Sequence, residues 1–321
     1  MAAATSALCE TRIVPADAGG ISEAVALLGA GGIVALPTET VYGLGADAGN
    51  AAAVAAVFAA KGRPGTNPLI VHASDTDMAG RYGQLPAAAL RLAAAFWPGP
   101  LTLVVGARGG APLAAAVTAG LDTVALRVPS HPVMAAILRD LGRGVAAPSA
   151  NASGRLSPTR ASHVLESLGG RVPLIVDAGP TTAGLESSIV AVDTEGRLTL
   201  LRHGAIPLEA IRAVAGADVA VAGEGSPVAA PGMLLRHYAP RLPLRLGVEI
   251  AGADAFHIGF GPIAGDASLS PAGDLAQAAA RLFELLHIAE ASGRRWIAVA
   301  PIPDVAEGRA ILDRLRRAAR G

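Results

Sequence analysis

Lys61 is the only lysine in the chain, and the other 25 of its 26 basic residues are arginine. An ammonium on a flexible stem and a planar guanidinium fork are not interchangeable where a small donor must reach a phosphate or oxyanion. Lys61 marks either a place where the difference counts or a surface lysine that survived by chance. Arg63 follows after a single glycine and Pro64 stiffens the chain beyond it, which gives a rigid pair of cations suited to a polyphosphate. Asn67 comes next, ahead of a short apolar run that ends at His72. Two plainer roles stay open: the cations also complement the C-terminal dipole of a helix over 51–60, and a histidine closing an apolar run fits packing as well as binding. Lys61 itself reads as an exposed cation whose removal costs little stability.

Five further segments place hydroxyls, amides and cations where strands end. PTETVYGLG, 37–45, leaves an apolar run with two threonine hydroxyls, a carboxylate and a phenol before a glycine turn. VALRVP, after Asp122 and Thr123, puts Arg127 into an apolar run, where an unpaired guanidinium is costly. Its anion is either a carboxylate of the same core or a substrate carboxylate gripped by two N–H groups. APSANASG sets Ser149 and Asn151 just after a short strand, with Ser157, Pro158 and Thr159 opening the next helix, a cradle for an oxyanion or simply turn and cap chemistry. ESSIVAVD and LLRHGAI repeat the design with Ser187, Ser188 and Arg202. The familiar phosphate loops are missing: the third glycine of GLGADAG falls one place too far for the dinucleotide fingerprint, and no GxxxxGK[ST] occurs. Spacings for metal ligands are also absent from the sequence, so no metal site is predicted.

These groups need a layered scaffold. Apolar runs at 33–36, 69–72, 101–105, 123–128, 145–147, 174–176, 188–192 and 197–201 read as strands. Helical patterns cover 21–28, 51–60 with Asn50 as N-cap, 86–96, 132–141, 159–168 and 208–215. The pattern breaks in the glycine- and proline-rich stretch 223–240, too long for an ordinary connection. Strands at 242–248, 256–260 and 296–300 follow, with helices over 274–291 and 305–319, the last capped by Asp304. The fold class is α/β (mixed α+β): a domain over 1–222, a linker over 223–240 and a small α/β domain over 241–321.

Bulk composition narrows the function classes. Hydrophobic residues make up 52% of the 321 and charged ones 16%, enough apolar surface for packed cores. The longest run of pure apolar character, 51–60, falls far below the roughly 18 residues of a membrane span, so no membrane association is expected. The first twelve residues lack a basic segment ahead of an apolar one, and the single cysteine, Cys9, suits a reducing compartment; a cytoplasmic location is the expectation. Zero net charge and only three tyrosines, five phenylalanines and two tryptophans argue against tight nucleic-acid binding.

Taken together, PTETVYGLG, KGRPGTNPLIVH, FWPGPLTLV, ALRVPSHP, APSANASG with SPT, ESSIV and LLRHGAI resemble, in order and spacing, the YrdC-like family of threonylcarbamoyl-AMP synthases. The linker PGMLLRHYAP and the residues after it resemble the longer, two-domain form, so the likeness spans nearly the whole chain. It departs at Leu234 and Leu235, where the family often carries Lys and Tyr. The resemblance implies a twisted mixed sheet with flanking helices around a basic cleft, the linker crossing it, and a Rossmann-like C-terminal domain. It implies that Thr40, His72, Arg127, Ser149 and Ser187 hold threonine or its carboxylated form. Lys61, Arg63, Asn67, Thr123, Asn151, Ser157, Thr159, Arg202 and Tyr238 would hold ATP, with Lys61 and Arg63 the catalytic cations. The implied reaction joins ATP, L-threonine and bicarbonate into an adenylate for a tRNA-modifying machinery, magnesium accompanying the triphosphate. A non-catalytic RNA-binding module and a carbamoyl-handling enzyme with another acceptor are the alternatives.

Overall fold

The computed structural model describes residues 9–223 and 237–320. In chain order the first body runs β1 (Arg12–Pro15), α1 (Ala18–Gly29), β2 (Val34–Leu36), β3 (Gly43–Asp47), α2 (Ala51–Lys61), β4 (Ile70–His72), α3 (Thr76–Ala79), α4 (Ala87–Phe96), β5 (Leu101–Gly106), α5 (Ala115–Thr118), β6 (Thr123–Arg127), α6 (Pro132–Leu141), β7 (Val145–Ala146), α7 (Ala161–Leu168), β8 (Leu174–Asp177), β9 (Ser188–Val192), β10 (Leu198–Arg202), α8 (Leu208–Ala215) and β11 (Val219–Val221). The second runs β12 (Leu244–Leu246), β13 (Ala255–Gly259), β14 (Ala267–Ser268), α9 (Leu275–Ala291), β15 (Trp296–Val299) and α10 (Glu307–Ala318).

The larger sheet has eleven strands in the order β1-β8-β2-β3-β7-β4-β6-β5-β9-β10-β11, with parallel and antiparallel pairs mixed. The smaller has four, β12-β15-β13-β14, all parallel. Alternation along the central strands decides which face is covered. Val71, Leu103, Val105, Val124 and Leu126 join the main core under the helices, while Ile70, Val104, Ala125 and Ile189 form a small apolar cluster on the other face. His72 is two residues from Ile70 and Arg127 two from Ala125, so both point to that second face. A third cluster packs α1 and α6 against β2 and β8.

Several boundaries differ from the pattern-based expectation. Gly43–Asp47, expected as a turn, is a wholly buried strand. A Cβ on Gly45 would come within 2.9 Å of both Leu36 Cδ1 and Val145 Cγ1, so a glycine there admits the neighbouring side chains of β2 and β7. The helix expected from Thr159 begins at Ala161. Asp304 does not cap α10, which starts at Glu307; it pairs with Arg316 at 3.0 Å instead. Asn50 does cap α2, accepting from the Ala53 amide. The strand β1, largely exposed at the sheet edge, the short helices α3 and α5, and the strands β11 and β14 were not expected. Leu234 and Leu235 lie outside the described residues.

The two bodies share a core. Val41, Leu156 and Leu185 of the first pack with Tyr238 against Phe256, Leu282, Phe283 and Leu286 of the second. Gly184, at φ +65, meets α9 directly: a Cβ there would lie 2.2 Å from the Ala280 carbonyl oxygen. Around this contact runs a polar seam. Arg155 pairs with Glu290 at 2.9 Å, Arg160 with Glu284 at 2.6 Å, and the rings of His163 and His287 stack at 3.8 Å.

Candidate active site

The open face of the larger sheet carries a cleft. Register places its central pair: β4 and β6 run parallel with His72 opposite Arg127. The antiparallel pairing of β9 with β10 brings Arg202, at the end of one strand, beside Ser187, just ahead of the other. The loop between β2 and β3 supplies Thr40, and the turn after β7 supplies Ser149, which bridges back to Gly43. Thr40, Arg63, His72, Arg127, Ser149, Ser187, Arg202 and Tyr238 thus line one hollow, whose floor includes Ile70 and Ala147. The hydroxyls and cations arrive from strand ends, as expected, but the hollow they enclose lies over the sheet face.

At one side of it Arg127 is buried and makes three contacts. Its Nη2 pairs with Glu39 at 2.7 Å, its Nη1 donates to the Thr40 hydroxyl at 2.9 Å, and its Nε to the Gly99 carbonyl at 3.3 Å. Of the two anions open to Arg127 in the sequence, the core carboxylate is therefore Glu39. Burial works to raise the Glu39 carboxyl, but the Arg127 charge and hydrogen bond together hold it below its ordinary value. Beside them His72 is pushed down to about 3, first by burial and then by Arg127, so its ring is neutral at physiological pH. Its Nδ1 has no hydrogen-bond partner among the described residues.

On the other side, Arg63 donates to the carbonyls of Asn67 at 3.2 Å and Pro68 at 2.8 Å, and burial lowers it to about 10, which leaves it charged. Lys61 is not exposed, contrary to the expectation from sequence. It ends α2 at 3% relative exposure, and its Nζ donates to the Ser149 and Asn151 carbonyls. Burial, then Arg63 and Arg171, hold its ammonium well below the ordinary lysine value. Among the described residues no carboxylate pairs with it, and a buried cation without an anion is a costly arrangement. Among the described residues, Asn67 is buried with both side-chain polar atoms unpartnered, and Asn151 keeps its Oδ1 unpartnered while its Nδ2 donates to the Ala152 and Arg155 carbonyls. Arg202 is held by the Ser187 carbonyl at 3.0 Å and hydroxyl at 3.1 Å, and that hydroxyl also meets Thr102 at 2.7 Å.

Six of the predicted residues do not line the hollow: Lys61, Asn67, Asn151, Ser157, Thr159 and Thr123. Ser157 is fully buried and reaches it only through Glu186. The Thr159 hydroxyl contacts His163 at 3.4 Å, toward the seam. Thr123 pairs with Gly106 at the end of β6 opposite Arg127 and does not line the hollow. Thr38, Glu186 and His237 line it without having been singled out. Glu186 was hidden in ESSIV behind its serines; a carboxylate inside a basic cleft is legible only once its own cation is known.

Comparison with known proteins follows the same outline. Residues 26–204 match the Sua5_yciO_yrdC family, whose description reads "Telomere recombination", and residues 206–320 match "Threonylcarbamoyl-AMP synthase, C-terminal domain". The threonylcarbamoyl-AMP synthase of Bacillus subtilis (strain 168) is 40% identical over 94% of this chain and 93% of its own. That of Pyrococcus abyssi is 40% identical over 90% of each. A crystal structure of P. abyssi Sua5 complexed with L-threonine superposes with a TM-score of 0.87 at 34% identity, covering 97% of both chains.

Proposed function

This chain belongs to the Sua5/yciO/yrdC family, and we propose that the cleft over its larger sheet joins L-threonine, bicarbonate and ATP into threonylcarbamoyl-AMP. The activity is that of its relatives: an enzyme making an adenylate by nucleotidyl transfer, of the two-domain form. What is ours is the assignment of residues and co-substrates. The observation that supports it is the convergence, within one hollow, of Arg63, Arg127 and Arg202 with the hydroxyls of Thr40, Ser149 and Ser187 and the ring of His72.

Threonine sits at the Arg127 side. Its carboxylate takes the guanidinium and the Thr40 hydroxyl, and neutral His72 offers Nδ1 without adding charge. Ser149 and Ser187 close that pocket. The triphosphate lies toward Arg63, Lys61, Asn67 and Arg202, where Asn67 and Asn151 supply amide groups and Ser157, Thr159 and Tyr238 support the wall. Thr123, at the distant end of β6, is the weakest member of the set. The threonine nitrogen bonds to the carbon of bicarbonate with loss of water. A carbamate oxygen then attacks the α-phosphorus, and the bond from that phosphorus to the bridging oxygen breaks to release pyrophosphate. Charge grows on the phosphate oxygens, and the chain answers with fixed donors rather than an acid or base. Magnesium is expected to arrive on the nucleotide, because the two carboxylates at the cleft, Glu39 and Glu186, are each engaged by an arginine.

We assign the bodies as 1–222 and 241–321 with a linker between. No helix among the described residues is long and apolar enough to cross a membrane; we place the reaction in the cytoplasm, its product passing to the tRNA threonylcarbamoyl-transfer machinery. The test is to incubate purified protein with ATP, bicarbonate and each amino acid in turn and weigh the products. A threonylcarbamoyl adenylate formed with L-threonine alone is expected. Pyrophosphate release without threonine, or another amino acid in the adenylate, would overturn the proposal.

A further inference from the structure

A carboxylate lines a cleft in which a triphosphate is to be seated. Glu186 is buried beside Ser187 and Arg202, and left alone its charge would repel the nucleotide and compete for the cleft arginines. Two groups hold it. Its Oε1 accepts the Ser157 hydroxyl, and its Oε2 accepts from Arg314 Nε at 2.8 Å. Arg314 belongs to α10 of the second domain, 128 residues away in sequence, and its side chain has no solvent exposure. Asp313 takes its Nη1 at 2.7 Å, and its guanidinium carbon stands 5.1 Å from the centre of the Tyr238 ring, within cation–π range.

Taking a guanidinium out of water costs several kcal/mol, and a methionine or leucine would fill the same space without that cost. Packing therefore does not account for Arg314. Its partners do, because all of them belong to the cleft wall or to its own helix. Burial works to raise the Glu186 carboxyl, but Arg314, Arg202 and the Ser157 hydroxyl outweigh it and keep the group ionised.

We propose that Arg314 is a positioning residue through which the second domain acts on adenylation: together with Ser157 it neutralises and orients Glu186, and it sets Tyr238 against the nucleotide. This rests on the assignment of the nucleotide to that side of the cleft. Arg314 touches no substrate itself.

The experiment uses the full-length protein in five forms: wild type, Arg314→Met, Arg314→Lys, Glu186→Gln and the Arg314→Met/Glu186→Gln double variant. Steady-state pyrophosphate release gives KM for ATP and for threonine separately. Arg314→Met leaves a buried charge unmatched beside the phosphates and should raise KM for ATP by about tenfold or more. KM for threonine, set at the far side by Arg127, Thr40 and His72, should move by less than about twofold. Arg314→Lys keeps the charge and should recover part of the loss. The double variant removes both charges and should bind ATP more tightly than Arg314→Met. A merely structural role predicts otherwise: a smaller active fraction with both KM values unchanged, and a double variant no better than the single one. Either result overturns the proposal. If Arg314→Met does not fold, the double variant against Glu186→Gln decides, since the two should then share one KM for ATP. Failure of the functional assignment looks different, because the wild type would then release no pyrophosphate with threonine. Calorimetric ATP binding by the same five forms would still test Arg314.

Discussion

The cleft and the seam between the domains are both built of buried or half-buried polar groups, yet they are satisfied to different degrees. Along the seam Arg155, Arg160, Glu284 and Glu290 are paired, His287 donates to the Ser157 carbonyl at 3.1 Å, and His163 accepts from the Thr159 amide at 3.3 Å. In and around the cleft, Asn67, Asn151, His72 and His237 keep polar atoms without partners among the described residues, and Lys61 has carbonyls but no anion there. Native interiors leave few polar atoms unmet. Under the proposed function, the unmet atoms around the cleft would be met by substrates, whereas those of the seam are met within the chain.

The contrast is broken most severely at Arg127. Arg127→Ala removes the threonine grip and leaves Glu39 buried without its cation. We expect pyrophosphate release to fall by at least about 10²-fold and denaturant titration to show a loss of about 3–5 kcal/mol. A variant with wild-type turnover would sink the placement of threonine. Lys61→Met should separate activity from stability. Turnover is expected to drop by about 10²-fold or more, as for loss of one donor to a developing oxyanion. The unfolding midpoint of the ligand-free protein should hold or rise, because an anionless buried ammonium is removed. A lower midpoint with intact turnover would make Lys61 structural.

How far such residues could be read in advance depends on the range over which their physics acts. Asn50 caps its helix within three residues, and local pattern finds it, whereas Asp304 read as a cap and is not one. Lys61 stood out by type, and Arg127 by its demand for an anion. The burial of Lys61 could not be read, because its acceptors lie 88 and 90 residues on. The strand Gly43–Asp47 was hidden by glycines chosen for the crowding of strands on either side, and β1 by its exposure at an edge. Strand order, which sets His72 beside Arg127, follows from pairings that local periodicity does not encode.

The seam can be sharpened by titration. His163 is lowered to about 3, by burial first and then by His287 and Arg160, and His287 is lowered by burial. Their unfolded values lie near 6.5. The stability they confer is therefore full above about pH 6.5 and is lost as pH falls toward 3, where only the unfolded chain gains the protons. His163→Phe, which keeps a ring for stacking, should flatten the fall of the denaturation midpoint over that interval. The residual slope should come from His287, His131 and His203, which burial lowers, and from His72 and His237, which it lowers to about 3. An unchanged slope would remove His163 from the account. The smallest effect is expected from Glu284→Ala, which opens a half-exposed pair: about 0–1 kcal/mol in stability and no change in either KM. A shift in KM there would show that the seam is not the closed structure drawn above.

That Lys61 is the only lysine has a practical side. The folded chain presents a single ε-amine, which burial holds well below the ordinary lysine value. Any acylating reagent that enters the cleft can mark just one side chain, so one mass increment in one peptide would report how full the nucleotide pocket is.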